Sequence, residues 1–155
     1  MNTTLLVIIA ALLTALSPVS AEQPGSVKPP VGVPADATLF NGNWYRVYLD
    51  RAQWKVAKAK CERLGGHLAV DTDEPTHVFI RNLADKRYLW LGGFKKTEGL
   101  WEWVDGTPMK FKGWGPHQPN AGLGFKVFHT WSGGWGDTDE KDPNVVGYIC
   151  EWKAR

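Results

Sequence analysis

Cys61 and Cys150 are the only two cysteines in the chain. If they are joined, their connectivity is forced, and everything between them must leave one point and return to it. In the chain-entropy description, closing a loop of that length removes about 4–5 kcal/mol of unfolded-state freedom, a large share of a small domain's stability. Whether they join depends on compartment. Residues 5–16 form an apolar run too short to span a bilayer comfortably, and Val19-Ser20-Ala21 behind it is a small-residue cleavage pattern. Residues 1–21 therefore read as a signal peptide, although no lysine or arginine precedes the run. The mature chain would begin near Glu22 and be secreted, periplasmic or at a cell surface, without membrane insertion once the signal is removed. An oxidising compartment favours a disulfide over two buried free thiols, the remaining alternative, and the lack of C-x-x-C spacing disfavours a redox pair. The link would tie the first helix to the last strand.

Residues 22–38 hold Pro24, Pro29, Pro30 and Pro34 with Gly25 and Gly32, a composition that sustains neither helix nor ladder and reads as a linker. Residues 39–155 are left for one domain. With 43% hydrophobic and 22% charged residues, the chain can bury a real core. Its net charge of +2 is scattered, with no basic run to track a phosphate backbone, so nucleic acid is not an expected partner.

Residues 44–49 read as an edge strand. Asp50 is expected to cap a first helix, with Gln53 at the reciprocal position. Trp54, Ala57, Cys61 and Leu64 recur on one helical face, placing the cysteine on the buried stripe, and Gly65-Gly66 ends the helix. A second helix follows Asp71-Thr72-Asp73-Glu74, whose carboxylates suit a positive helix end, with Pro75 in the first turn and Phe79, Ile80 and Leu83 facing inward. A bound cation is the alternative use of that acidic group. From Tyr88 onward, short aromatic strands at 88–92, 100–104, 125–129 and 146–152 are punctuated by Gly, Pro and Asn. Two helices followed by a strand-and-loop half, without internal repeats, predict an α+β domain.

Leu89-Trp90-Leu91-Gly92-Gly93, Trp101-x-Trp103-x-Asp105-Gly106-Thr107-Pro108, Gln118-Pro119-Asn120, Trp135-Gly136-Asp137 and Gly147-Tyr148-Ile149-Cys150-Glu151-Trp152 follow one another along the chain. In this order they resemble the motifs of C-type lectin-like domains, and the resemblance covers residues 40–153. It implies two helices packed on small antiparallel sheets, with a long loop region that carries ligands. It also implies that Gln118 and Asn120, flanking a cis Pro119, contact metal and sugar, and that Asp137 is a metal-binding aspartate.

The departures from that pattern bear on the metal. Gln-Pro-Asn holds no carboxylate, where related motifs read Glu-Pro-Asn or Gln-Pro-Asp. Gly136 stands in place of an asparagine, and Ala121-Gly122-Leu123-Gly124-Phe125 lacks the expected glutamate. Calcium wants six to eight oxygens, with carboxylates supplying most of the charge. Asp137, Gln118 and Asn120 alone would hold it weakly, so calcium dependence is expected to be weak or lost, unless Asp139 or Glu140 turns into the site.

Of the nine tryptophans, Trp44, Trp54, Trp90, Trp101, Trp103 and Trp152 are expected in the core. Trp114, Trp131 and Trp135 fall in or beside Gly-rich loops, where an indole can either pin the loop or meet a ligand. His117 borders the Gln-Pro-Asn step and is within a ligand's reach. His67, His77 and His129 lack metal-ligand spacing, and no nucleophile signature accompanies them, so catalysis is not expected. The expected function is a secreted, non-enzymatic module that binds carbohydrate through Gln118, Asn120, Asp137, Trp114 and His117. The alternative is calcium-independent recognition of a cell-surface protein by the same loops.

Overall fold

A computed structural model of the chain describes residues 27–96, 99–120, 127–131 and 133–153. The expected signal peptide, the first part of the linker and the Leu123-Gly124 step lie outside these residues. The elements run β1 Thr38–Phe40, β2 Asn43–Tyr48, α1 Trp54–Arg63, β3 His67–Leu68, α2 Glu74–Ala84, β4 Leu89–Lys95, β5 Trp101–Trp103, β6 Val127–Trp131, β7 Gly134–Thr138 and β8 Gly147–Lys153. The architecture is α+β, as the sequence predicts. The strands, however, join one hydrogen-bonded network ordered β1-β2-β8-β4-β6-β7, with β3 on β8 and β5 on β4. The parallel pairing of β4 with β8 makes the sheet mixed rather than purely antiparallel.

Period-two alternation divides the core between two faces. Trp44 on β2, Trp90 on β4, and Tyr148, Cys150 and Trp152 on β8 pack with Trp54, Ala57 and Cys61 of α1. Their neighbours Tyr45, Leu89, Leu91 and Ile149 turn the other way, toward Ile80 and Ala84 of α2 and the aromatic rings Trp103, Phe128 and Trp135. Cys150 thereby meets Cys61 as a disulfide with Cα atoms 5.5 Å apart. Fully burying one large apolar side chain contributes about 1.5–3 kcal/mol, so this double layer dominates the fold's stability. Buried indoles find acceptors as well: Trp54 Nε1 donates to Leu91 O at 2.8 Å, Trp90 Nε1 to Ala52 O at 2.7 Å and Trp152 Nε1 to Leu64 O at 2.9 Å.

Several local expectations need correction. Asp50 does not cap α1. The N-cap is Gln53, without a side-chain bond, and Asp50 instead pairs with Lys60 across the helix. Leu64 is the C-cap and is exposed, since the helix has already ended where the periodic stripe would continue. The strand at Asn43–Tyr48 is not an edge, because Thr38–Phe40, placed by sequence at the linker boundary, pairs along it. Trp135-Gly136-Asp137, for which no strand is expected, forms one, so that Trp135 stands beside the loops rather than in them. On α2 the expectation holds at the amino end, where the Asp73 carboxylate accepts from Thr76 N at 2.8 Å. Its most buried residues are Thr76, His77, Ile80 and Ala84, with Phe79 and Leu83 half-buried beside them.

Candidate binding site

The β6–β7 hairpin builds the site. Its second strand accepts a short parallel segment: Trp135 N donates to Gly113 O at 2.7 Å, and Gly115 N donates to Trp135 O at 2.9 Å. This approach requires glycine at 134, because a Cβ there would collide with the backbone of Gly113, Trp114 and Gly115. Docking residues 113–115 on β7 delivers the next stretch beside Asp137. Gln118-Pro119 is a cis peptide. Asn120 N donates to Asp137 Oδ1 at 2.9 Å, and Asp137 N donates to Gln118 Oε1 at 3.3 Å.

Gln118, Asn120 and Asp137 are thus neighbours in space. Asp137 is only 4% exposed and its carboxylate is engaged in bracing the loop, whereas Asn120 and His117 are exposed and Gln118 is half-buried. The three loop tryptophans have different fates. Trp135 is buried, and Trp114 packs edge-on against Trp101, Phe128 and Trp135, with ring centroids 4.5–5.5 Å apart. Trp131 is half-buried and stacks on Tyr88 at 5.0 Å.

One structural contact escaped sequence reasoning. Asp71, read there as helix capping, is buried beneath the loop region and accepts from Trp135 Nε1 at 2.6 Å and His77 Nδ1 at 2.7 Å. Burial pushes its carboxyl above the usual range, opposed by these two donors. Nothing local in the sequence signals the contact, since Trp135 lies far along the chain. His129 is also buried, which holds its pKa below the ordinary imidazole value. Its Nδ1 bonds the Thr130 carbonyl at 2.8 Å.

The donor set does not fit a calcium ion. Asp137 Oδ1 already receives the Asn120 amide. The place of a side chain at 136 is taken: a Cβ on Gly136 would stand 2.8 Å from His129 Nε2. The acidic turn points elsewhere, with Glu140 paired to Lys55 at 3.0 Å and Asp139 Oδ1 accepting from Lys141 N at 2.9 Å. Residues 121–126 contain no carboxylate. Among the described residues, no three His, Cys, Asp or Glu side chains gather as a metal site.

The family model for the Lectin C-type domain matches residues 50–152. A hepatic lectin of Gallus gallus is 32% identical over 117 residues, which is 72% of this chain and 56% of the relative, so the chain spans little more than half that protein's length. Among solved structures, a calcium-independent type II antifreeze protein superposes with a TM-score of 0.70 at 29% identity, covering 79% of this chain and 95% of the other. The cow carbohydrate-recognition domain of CD23, determined in the presence of a GlcNAc2Man3 oligosaccharide, does so at 0.72 and 26% identity, covering 79% and 97%. The order of the aromatic motifs, the helix-to-strand disulfide and the loop docked on β7 therefore have one common origin: the chain belongs to the C-type lectin domain family.

Proposed function

We propose that this chain is a non-enzymatic, exported carbohydrate-binding module that works without calcium, presenting Gln118, Asn120 and His117 on the loop that Asp137 braces. The observation that supports this reading most directly is the Asn120 amide on Asp137 Oδ1. A carboxylate that would otherwise compensate a cation here accepts the loop's own amide and helps to hold the loop in place. Side-chain amides both donate and accept, which suits the paired hydroxyls of a sugar. The relative named a hepatic lectin and the CD23 domain determined in the presence of an oligosaccharide support the sugar reading, and the neighbour described as a calcium-independent antifreeze protein supports its independence of calcium.

The test is a glycan array probed with the mature chain in millimolar calcium and again in chelator. The same glycans should bind in both, and Asn120→Ala should abolish binding while leaving the melting temperature unchanged. Binding that disappears in chelator would overturn calcium independence. A blank array would favour recognition of a protein by the same loops.

A further inference from the structure

A second cleft, of about 370 Å³, lies between the carboxyl end of α2 and the β6–β7 hairpin. We propose that it binds an acidic saccharide unit, a pyranose bearing a carboxylate or sulfate, at a site separate from the Gln118–Asn120 loop. Arg81, Lys86 and Arg87 line it together with Trp131, and the one carboxylate in the lining, Asp85, leaves an excess of two positive charges. Arg87 and Asp85 are 3.8 Å apart, a loose pair on an open surface. Among the described residues, neither Arg81 nor Lys86 is paired with a carboxylate, so both are available to a ligand anion.

The walls are fixed in relation to one another. Thr130 Oγ1 donates to Arg87 O at 2.6 Å and accepts from Leu89 N at 2.9 Å, joining the segment after α2 to β6. Tyr88, between those two anchored residues, stacks on Trp131. The segment after α2 and the indole are therefore fixed in relation to one another, and both line a cleft whose volume falls within the range of small-ligand sites. A helix carboxyl end ordinarily repels anions. Here three of the last four carbonyls have partners: Arg81 O and Asn82 O accept from Asp85 N at 3.2 Å, and Ala84 O accepts from Arg87 N at 3.0 Å and Arg87 Nε at 2.9 Å.

The lining chemistry selects the ligand class. Guanidinium forks match carboxylate and sulfate geometry, and an indole presents an apolar surface to the C–H face of a sugar ring. A neutral sugar leaves the excess cations uncompensated, and an acidic peptide leaves the indole without a ring to pack on.

Calorimetry with the mature chain at physiological ionic strength tests the proposal. The probes are a hyaluronan tetrasaccharide, which carries only carboxylates, a heparin tetrasaccharide, which adds sulfates, neutral chitotetraose and a hexaglutamate peptide. At least one acidic saccharide should bind, and whichever binds identifies the anionic group. Arg81→Gln combined with Lys86→Gln, both at exposed side chains that hold nothing in the fold, should weaken that binding about tenfold. Lys110→Gln with Lys112→Gln, which removes equal charge elsewhere, should leave it unchanged. The indole Nε1–H resonance of Trp131, assigned by its loss in Trp131→Phe, should shift on titration. The site is overturned if neither acidic saccharide binds, if both charge variants weaken binding equally, if the Trp131 resonance stays still or moves as much with chitotetraose, or if hexaglutamate binds as tightly as the sugars. None of these outcomes bears on the loop reading, because Asn120 is intact in every variant.

Discussion

The frame made by α1, β2, β4 and β8 and the loop half made by residues 113–120 with β7 are held together by different means. The frame has a six-residue antiparallel ladder between β2 and β8, a covalent link from α1 to β8 and indoles bonded to backbone carbonyls. Beyond the antiparallel ladder that ties β7 to β6, the loop half depends on point contacts: a short parallel bridge, an aromatic cluster, the Asn120 amide on Asp137, and Trp135 on Asp71. A ladder loses little when one side chain is cut, whereas a point contact has no neighbour to share the loss. Residues 113–120 can therefore vary without unfolding the domain, provided that the few ties to the frame persist.

The largest expected effect sharpens that contrast inside the core. Trp90→Ala should destabilise the domain by about 3–5 kcal/mol in urea unfolding, because a fully buried indole at the centre of the sheet leaves a cavity that rigid neighbours cannot close. Trp114→Ala, at a half-buried ring on the loop side, should cost clearly less. Equal losses would mean that the loop half is as continuous with the core as the frame itself.

A middle-sized effect is expected at the tie between the halves. Asp71→Ala leaves the Trp135 and His77 donors without their buried acceptor and should cost about 1–3 kcal/mol. Amide exchange should accelerate in residues 113–115 and 134–138 but not along the β2–β8 ladder. The titration has a definite sign. Burial raises the Asp71 pKa, so its contribution to stability is fully present below the ordinary carboxylate pKa, about 4, and is lost as pH rises through the raised value. The stability advantage of the wild type over Asp71→Asn should accordingly be largest in acid and shrink toward neutrality. His129, with its lowered pKa, acts oppositely: its contribution is present above about pH 6.5 and is lost as pH falls through the depressed value. It is common to both proteins and cancels in their difference.

The smallest effect is a null. Millimolar calcium should leave the melting temperature unchanged, since a ligand that binds only the native state must raise it. A strong calcium shift removed by Asp139→Ala or Glu140→Ala would show that the acidic turn can rearrange around an ion.

Much of the frame was legible because its signals are local or periodic. The Trp54, Ala57, Cys61 stripe repeats at helical spacing, the acidic residues 71–74 with Pro75 mark a helix start, and the aromatic runs at 88–92 and 146–152 mark strands. Capping at Asp50 failed because competing partners, Lys60 and the Tyr148 hydroxyl, hold that carboxylate outside the helix start. The motif residues Gln118, Asn120 and Asp137 were legible as a group only through family resemblance, since nothing in their spacing says that a bridge between Trp114 and Trp135 brings them together.

Composition, periodicity and motif order were enough by themselves for the α+β class, the cysteine pairing, both helices and the scarcity of carboxylates around Asp137. Tertiary structure alone decided that Asp71 reaches Trp135, that the His129 ring fills the space at Gly136, and that Arg81, Lys86, Arg87 and Trp131 line one cleft. The reason is physical. Helix stripes and strand alternation are set by backbone geometry within a few residues, whereas these contacts join residues far apart in the chain, and only the packed sheet determines which of them meet.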